Sequence, residues 1–476
     1  MRLTILGGGG FRVPLVYRAL ADGDVSELTL YDTDAVRVGV VRSVLRQLAV
    51  GADGTDRAGR RLPAVRVADG LDDALRGADF VFSAIRVGGT RGRVEDERVP
   101  LAEGVLGQET VGAGGVLYGL RTLPVATHLA ERVAALAPDA WVINFTNPAG
   151  MVTEAMSAVL GERVIGICDS PVGLVRRAAR AAGADPDLFL AAPGRPGTAS
   201  GRADGDPDGA HGGARFDYVG LNHLGWLRSL HDGTRDLLPQ LLADDEALGS
   251  FEEGRLFGAT WLRALGALPN EYLHYYYFRR ETLAAVRAAE VTRGAFLERQ
   301  QGEFFERAAR EPERAYELWE AARRGREETY LAESRAASGG WRRDTCDLDG
   351  GGYDQVALAL MRALGGAGHA GRRTRLVLNV PNGDTVPALP PDAIIETVCE
   401  VGPDGAHPLP AAPVGPAELG LMLQVKAVER ATIDAARSGD RTAALRALAL
   451  HPLVDSPAVA ARILDRARWG GATNGQ

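Results

Sequence analysis

Cysteine, basic clusters and long apolar runs are all scarce in this sequence. Its 476 residues include 3 cysteines, Cys168, Cys346 and Cys399, which are too few for a disulfide framework and fit a reducing, cytoplasmic compartment best. No apolar run reaches the roughly 18 residues that a membrane-spanning helix needs, and no signal peptide precedes the first apolar segment. The formal net charge is −8 and no basic cluster stands out, so we expect neither nucleic acid nor an anionic membrane among the partners.

The bulk composition is that of an ordinary globular protein, since 46% of the residues are hydrophobic and 24% are charged. The length is large for a single core and predicts two intimately packed domains. Short apolar segments alternate with segments of helical periodicity, which predicts an α/β fold with a parallel, doubly wound sheet. The apolar segments are residues 2–6, 27–31, 64–67, 79–85, 140–145 and 163–167. We therefore predict a Rossmann-like domain over residues 1–167 and a second, mixed α+β domain over residues 168–476.

A glycine-rich loop follows the first apolar segment. It comprises Gly7, Gly8, Gly9, Gly10, Phe11 and Arg12. Glycines at this point let the backbone turn tightly and approach a pyrophosphate, and the helix that starts near Arg12 would direct N–H groups towards that anion. Asp32 stands 22 residues after Gly10, where a carboxylate can accept hydrogen bonds from a ribose 2′-hydroxyl. The pattern indicates a dinucleotide site that favours NAD over NADP; an ordinary tight turn is the alternative.

Polar segments follow several of the other predicted strands. Because ligands bind beyond the carboxyl ends of parallel strands, these segments are where we expect chemistry. Arg86 follows the fourth apolar segment, where its forked guanidinium could bind a phosphate or a carboxylate. Asn147 precedes Pro148 and is thereby held out of the helical backbone region, which makes a stiff support for its amide. Cys168 and Asp169 follow the sixth apolar segment.

Several features in the middle of the chain are open to two interpretations. Cys168 and His223 could hold a divalent metal, for which a thiolate would favour zinc or iron, but such residues are more often structural. Tyr272 begins a tyrosine-rich segment at helical spacing, and such tyrosines usually pack a core unless a metal or cation lowers their pKa. The glycine-rich residues 107–115 form either a loop that contacts substrate or an ordinary turn. Residues 193–215 are predicted as a surface loop.

In this order, the motifs resemble glycoside hydrolase family 4, and within it the 6-phospho-glucosidases, which depend on NAD. The resemblance extends over nearly the whole chain. The matching motifs are Gly7–Gly10, Ile85–Gly89, Gly107–Thr110, Asn144–Pro148, Ile167–Pro171, Gly220–Trp226, Tyr272–Leu273, Gly351–Tyr353 and Asn379–Gly383. The resemblance implies a Rossmann-like NAD-binding domain and a second domain, as in lactate and malate dehydrogenases, that provides substrate, metal and oligomer contacts.

The resemblance also implies roles for single residues. Cys168 and His223 match the family's ligands for a divalent metal, which is usually Mn²⁺. Tyr272 matches the catalytic base, and Asp169 matches the acid of the α-specific members. The positions that bind the substrate and its phosphate correspond to Arg86, Asn147 and Arg293.

The implied reaction is a redox-neutral hydrolysis. It proceeds by transient oxidation of sugar C3 with NAD, deprotonation of C2 by Tyr272, and elimination followed by addition of water, with Asp169 or a water as the acid. The expected substrates are phosphorylated disaccharides such as cellobiose 6-phosphate. The resemblance further suggests a homodimer or a homotetramer.

Departures from the family pattern leave alternatives open. The family's glycine loop often continues with Ser and then Thr-Pro, whereas here Phe11, Arg12, Val13 and Pro14 follow it, so the phosphate contacts can differ in detail. Many β-acting relatives have Asn in place of Asp169, whereas the tyrosine run at residues 272–276 is closer to the β type, and we favour a 6-phospho-β-glucosidase. The alternatives are a 6-phospho-α-glucosidase, a glycosidase or uronidase of the same family for unphosphorylated sugars, a hydroxy-acid dehydrogenase of the lactate or malate type, and an inactive NAD sensor.

Overall fold

The structure is a computed structural model that describes residues 1–50, 54–190, 213–343, 352–365, 373–467 and 469. Most of the predicted surface loop at residues 193–215 lies outside these ranges, as do Cys346 and Gly351. The chain divides into two compact units: the first contains residues 1–166, 283–330 and 424–476, and the second contains residues 167–282 and 331–423. The division of roles between residues 1–167 and 168–476 stays a prediction.

The strands of the first unit form a parallel sheet. They are β1 (Arg2–Leu6), β2 (Glu27–Tyr31), β3 (Ala64–Val67), β4 (Phe80–Ser83), β5 (Trp141–Asn144) and β6 (Val164–Gly166). Their order across the sheet is β3-β2-β1-β4-β5-β6, and each neighbouring pair is parallel. The chain winds outward in both directions from the boundary between β1 and β4, which is the switch point where such sheets bind ligands. The predicted Rossmann-like, doubly wound sheet is confirmed.

Helices alternate with these strands and continue through the rest of the chain. In chain order they are α1 (Val13–Ala19), α2 (Ala35–Leu48), α3 (Leu71–Leu75), α4 (Gly89–Ala102), α5 (Gly112–Leu136), α6 (Ala149–Leu160), α7 (Ser170–Ala181), α8 (Leu238–Ala243), α9 (Asp245–Gly249), α10 (Glu252–Phe257), α11 (Ala259–Leu265), α12 (His274–Tyr277), α13 (Arg279–Ala288), α14 (Arg293–Arg310), α15 (Ala315–Glu328), α16 (Ala332–Ala337), α17 (Tyr353–Gly365), α18 (Pro416–Ser438), α19 (Arg441–Leu450) and α20 (Pro457–Arg466). In the first unit, α14 packs on α2 and α4, and α15 packs on α2. Within the described ranges, no helix combines the length and the apolar character needed to cross a membrane.

The second unit has an antiparallel sheet. Its strands are β7 (Arg215–Leu221), β8 (Leu224–His231), β9 (Leu268–Pro269), β10 (Thr374–Pro381), β11 (Ile394–Gly402) and β12 (Gly405–Pro408). Their order is β10-β11-β7-β8-β9, with β12 paired to β11. Leu221 pairs with Leu224, so Asn222 and His223 form a two-residue hairpin turn. His223 has a φ of 63°, a left-handed backbone conformation that is uncommon for residues other than glycine. With its helices, this unit is the predicted mixed α+β structure.

A buried polar network joins the carboxyl ends of β4 and β5. The Asn144 side chain donates to Thr153 Oγ1 at 3.0 Å, and its Oδ1 accepts a hydrogen bond from the Thr146 N–H at 3.0 Å. Thr146 Oγ1 in turn accepts a hydrogen bond from the Ile85 N–H, just after β4, at 3.1 Å. These bonds fix the turn between β5 and α6, which contains Asn147.

We expect Asn144→Ala to lower the free energy of unfolding by about 2–3 kcal/mol, because buried partners in the turn lose their hydrogen bonds. Urea denaturation measures the change. Ser157→Ala is the control, since it removes one half-buried bond to the Glu154 carbonyl, 2.9 Å long, and should lower stability by less than about 1 kcal/mol. Equal losses in the two variants would contradict the role given to Asn144.

Candidate active site

The glycine-rich loop after β1 is folded tightly against the ends of β2 and β4. The Gly7 N–H donates to the Tyr31 carbonyl at 2.9 Å, and the Gly9 N–H donates to Asp32 Oδ2 at 3.0 Å. A Cβ atom on Gly7 would lie 2.5 Å from the carbonyl oxygen of Ala84, and the φ of Gly7 is +89°. The loop therefore has room for backbone only, which is the property that lets a phosphate approach it closely.

The other glycines of the loop are equally confined. A Cβ atom on Gly8 would lie 2.8 Å from a backbone nitrogen of β2, and one on Gly10 would lie 2.9 Å from the Gly7 carbonyl oxygen. The Gly10 N–H donates to that same oxygen at 2.8 Å. Arg12 immediately precedes α1, and its guanidinium carbon lies 5.9 Å from the centre of the Phe145 ring. A cation therefore stands at the end of this loop.

Asp32 follows β2 at the position predicted for a ribose contact. Its Oδ2 accepts the hydrogen bond from Gly9, and its Oδ1 accepts one from the Asp34 N–H at 3.1 Å. Each carboxylate oxygen has more than one acceptor position. Asp32 can thus hold the loop and still accept hydrogen bonds from a ligand hydroxyl.

Two helices from the later part of the chain support the loop at Phe11. The Trp319 indole N–H on α15 donates to the Phe11 carbonyl at 2.8 Å. The Phe11 ring packs edge-on against Phe304 of α14, with 5.5 Å between ring centres. Phe11 is buried, so its predicted contact with a cofactor would come mainly from its backbone, and that contact stays a prediction. The sequence did not predict that these two helices belong to the same unit as the glycine-rich loop.

Arg86 belongs to a buried ion-pair network. Its Nη1 lies 2.7 Å from Glu109 Oε2, and the Arg93 guanidinium donates to Glu109 Oε1 at 2.6 Å. Arg93 also donates to Glu97, which accepts the Gly294 N–H at 2.7 Å. Burial raises the pKa of Glu109, but Arg86 and Arg93 more than offset this and hold it at about 2. Residues 107–115 thus supply the carboxylate that balances Arg86, a partner that the sequence did not reveal.

The other two predicted substrate-binding residues are also in the first unit. Arg293 starts α14 and donates to the Thr329 hydroxyl and, at 2.8 Å, to the Arg326 carbonyl. Asn147 is half-buried, and its Oδ1 is a buried acceptor with no hydrogen-bond partner among the residues that the structure describes. A ligand hydroxyl would satisfy this oxygen.

In the second unit, Cys168 lies in a buried, carboxylate-rich region. Burial, followed by the charges of Glu396 and Asp169, raises the pKa of the Cys168 thiol well above its usual value. Glu396 accepts hydrogen bonds from Tyr218 at 2.9 Å and from Asn222 at 3.0 Å. Burial raises the pKa of Glu396 to about 7. A bound divalent cation would favour the thiolate here, so the donor chemistry fits a metal.

Only two metal ligands, Cys168 and His223, were predicted from the sequence. In the part of the chain that the structure describes, no group of three or more His, Cys, Asp or Glu side chains could hold a metal ion. A cation bound by these two side chains would therefore need further ligands from substrate or water.

The structure brings His223 and Tyr272 into direct contact. Their rings are stacked, with centres 3.7 Å apart and planes 6° apart. Tyr272 lies in a short 3₁₀ turn, Glu271–Leu273, and its N–H donates to Asn270 Oδ1 at 3.0 Å. The hairpin turn holds His223 and this 3₁₀ turn holds Tyr272, so the predicted metal ligand and the predicted base share one location.

Sequence reasoning missed a buried bond that joins the segments containing Asp169 and Tyr272, the two residues predicted to be catalytic. Ser170, next to Asp169, donates from Oγ to Glu271 Oε1 at 2.6 Å, and Glu271 precedes Tyr272. Burial, followed by the charge of Glu253, raises the pKa of Glu271. The only signal was adjacency, since each partner stands beside a predicted catalytic residue.

Comparison with known proteins gives two family models that match the chain. One is described as "Family 4 glycosyl hydrolase" and matches residues 4–184; the other, "Family 4 glycosyl hydrolase C-terminal domain", matches residues 218–454. A "Probable 6-phospho-beta-glucosidase" of Bacillus subtilis is 30% identical over 401 residues, 82% of this chain and 78% of the relative. A "6-phospho-alpha-glucosidase 1" of Lacticaseibacillus paracasei is 27% identical over 484 residues, 97% of this chain and 95% of the relative.

A solved structure shares the fold. It is the 6-phospho-beta glucosidase from Thermotoga maritima with manganese, NAD+ and glucose-6-phosphate, which is 23% identical and has a TM-score of 0.74. The match covers 98% of this chain and 97% of that chain.

The Glu109 network predicts a defined pH dependence of stability. The pKa of Glu109 is lowered on folding, so its stabilisation is complete above its unfolded value and is lost as the pH falls. We expect Glu109→Gln to lower the free energy of unfolding by about 3 kcal/mol at neutral pH. The difference from the parent should shrink by about 2 kcal/mol between about pH 5 and about pH 3.

Urea denaturation across this pH range measures the difference. Glu95→Gln, which alters a solvent-exposed carboxylate on α4, is the control. Its difference from the parent in the free energy of unfolding should not shrink as the pH falls. A constant difference between parent and Glu109→Gln would mean that Arg86 and Arg93 do not lower the pKa of Glu109.

Proposed function

Because the chain belongs to family 4 of the glycosyl hydrolases, it is a glycoside hydrolase, and we propose that it cleaves 6-phospho-β-glucosides with NAD and a divalent metal such as Mn²⁺. The curated relatives named above act on 6-phospho-glucosides of either anomer, and the Thermotoga maritima enzyme was solved with manganese, NAD+ and glucose-6-phosphate. The observation that carries the proposal is the stacked contact between His223 and Tyr272.

The residues of the first unit fit the dinucleotide. The loop at Gly7–Gly10 has no space for side chains, which suits the close approach of a pyrophosphate. Asp32 follows β2, has acceptor capacity on both carboxylate oxygens and would bind the ribose hydroxyls. Arg86, Asn147 and Arg293 would orient the sugar and its phosphate, Asn147 through its buried oxygen.

When bound, NAD supplies a reversible hydride acceptor and the divalent cation supplies a Lewis acid. Cys168 and His223 would hold that cation. Tyr272, half-buried against the His223 ring, would remove the proton from C2 of the sugar, since a phenol beside a cation ionises more readily. Asp169 would hold the proton that the leaving oxygen needs.

The choice of the β anomer and the oligomeric state belong to the proposal as well. The tyrosine run at residues 272–276 favours β, whereas Asp169 is the acid of α-specific members, so the α-glucoside is the second candidate. We expect a homodimer or a homotetramer, which sedimentation would distinguish.

We expect p-nitrophenyl 6-phospho-β-glucoside to be hydrolysed at least about tenfold faster than its α anomer or the unphosphorylated β-glucoside. Activity should require NAD⁺, Mn²⁺ and a reductant, and no NADH should accumulate because the hydride returns to the sugar. Release of p-nitrophenol is the measurement. Full turnover in protein stripped of dinucleotide would refute the redox route, and faster cleavage of the α anomer would reverse the specificity.

Tyr272→Phe keeps the ring that stacks on His223 but removes the hydroxyl. We expect kcat to fall at least about 100-fold, because no phenolate can take the C2 proton. Exchange of a C2 deuterium with solvent should slow equally, whereas NAD⁺ affinity should stay within about twofold.

Tyr276→Phe, a half-buried tyrosine four residues later, is the matched control and should keep kcat within about threefold of the parent. If Tyr272→Phe exchanged the C2 deuterium at the parent's rate, Tyr272 would not be the base.

A further inference from the structure

Several arginines of the first unit lie within electrostatic range of one another. Arg326, near the end of α15, experiences the positive charges of Arg12, Arg293 and Arg93. We call these four residues the arginine cluster. They come from the glycine-rich loop, α4, α14 and α15, so only the fold assembles them. Like charges gathered in a partly buried place destabilise the protein unless an anion offsets them.

The geometry of α15 directs Arg326 towards the glycine-rich loop. Trp319 on this helix donates its indole N–H to the Phe11 carbonyl at 2.8 Å, directly before Arg12. Arg326 follows Trp319 by seven residues, which is two helical turns, so the two side chains lie on the same face of α15. Only 18% of the Arg326 side chain is exposed.

The backbone around Arg326 is held by another member of the cluster. Arg293 donates to the carbonyl oxygen of Arg326 at 2.8 Å and to the hydroxyl of Thr329. Both acceptors are neutral oxygens. These bonds hold the backbone of Arg326 beside the start of α14.

The carboxylates described near the cluster are shared among several donors. Glu97 and Glu109 accept hydrogen bonds from Arg93, and Glu97 also accepts the Gly294 N–H. Two carboxylates oppose the Arg326 charge: Glu327, whose Oε1 is 3.8 Å from Arg326 Nε, and Glu109, whose pKa is lowered by Arg326 as well as by Arg86 and Arg93. Burial, followed by the charges of Arg12 and Arg293, lowers the pKa of Arg326 to about 9. Arg326 therefore remains a cation at neutral pH in surroundings that disfavour its charge.

We propose that the Arg326 guanidinium binds a phosphate group of a ligand, on the same face of α15 that contacts the glycine-rich loop. The inference rests on the proposed function, which offers two sources of phosphate: the pyrophosphate of the dinucleotide, near Arg12, and the 6-phosphate of the sugar, near Arg293. A guanidinium offers parallel N–H donors that match two phosphate oxygens, which a lysine cannot do.

Calorimetric titration of the full-length protein separates the two sources. Arg326→Gln is titrated with NAD⁺, and then with glucose 6-phosphate at saturating NAD⁺. We expect the affinity for one of the two ligands to fall at least about tenfold, which is the typical effect of losing a hydrogen bond to a charged group. The ligand whose affinity falls identifies the phosphate that Arg326 binds.

Arg324→Gln is the matched control. Arg324 lies on the same helix with 71% of its side chain exposed, 3.2 Å from Glu320, and its replacement should leave both affinities within about twofold of the parent. Arg326→Lys keeps the positive charge but lacks the parallel N–H donors of a guanidinium. We expect its ligand affinity to lie between those of the parent and Arg326→Gln.

A stability measurement distinguishes ligand binding from a structural role. Without ligand, Arg326→Gln should melt at or above the Tm of the parent, because a like charge has been removed from the cluster. Inorganic phosphate, compared with chloride at equal ionic strength, should raise the Tm of the parent more than that of Arg326→Gln.

The proposal is overturned if Arg326→Gln binds both ligands within twofold of the parent. It is overturned equally if the ligand-free variant melts well below the parent or fails to fold, since Arg326 would then be structural. Neither measurement requires turnover, so a chain that proved inactive on 6-phospho-glucosides could still show that Arg326 binds phosphate.

Discussion

The close approach of the glycine-rich loop to the neighbouring strand ends is the constraint on which the first unit depends. The loop leaves β1 at the point where the strand order reverses, and Gly7 lies so near Ala84 that a methyl group would displace the backbone after β4. That backbone leads into Arg86, and the same loop is bonded to Asp32 after β2. One side chain at Gly7 would therefore disturb the positions from which both predicted ligand contacts arise.

Buried charges are a second constraint on the structure. They explain why candidate site residues such as Arg86 need charged partners from other segments of the chain. Arg86, with 32% of its side chain exposed, pairs with Glu109, and the same carboxylate accepts a hydrogen bond from Arg93. In the second unit Glu396 is held by neutral donors from Tyr218 and Asn222, which leave its charge less compensated. The first arrangement keeps its carboxylate ionised, whereas in the second burial outweighs the hydrogen bonds from these donors and raises the pKa of Glu396 to about 7.

The sequence could predict those features that depend on nearby residues. Strand alternation, the glycine-rich loop and the carboxylate at Asp32 follow from local periodicity and backbone freedom, and the structure has all three. Contacts between remote segments left no such signal. The bond from Trp319 to Phe11 spans 308 residues and depends on how α15 packs. The glycine content of residues 107–115 predicted either a loop that contacts substrate or an ordinary turn, whereas α5 already begins at Gly112, and nothing local showed that Glu109 would pair with Arg86.

The two units place opposite demands on their ligands. In the first unit, Arg326 lies among other guanidinium groups, including Arg293, so a bound anion would lower the free energy of the folded chain. In the second, Cys168 is buried beside Glu396 and Asp169, and there a cation would do so. A phosphorylated sugar, a dinucleotide and a divalent metal satisfy these two demands together. The charge distribution of each unit therefore agrees with the proposed ligands, and Arg293, Cys168 and Asp169 belong both to the motifs and to these charged surroundings.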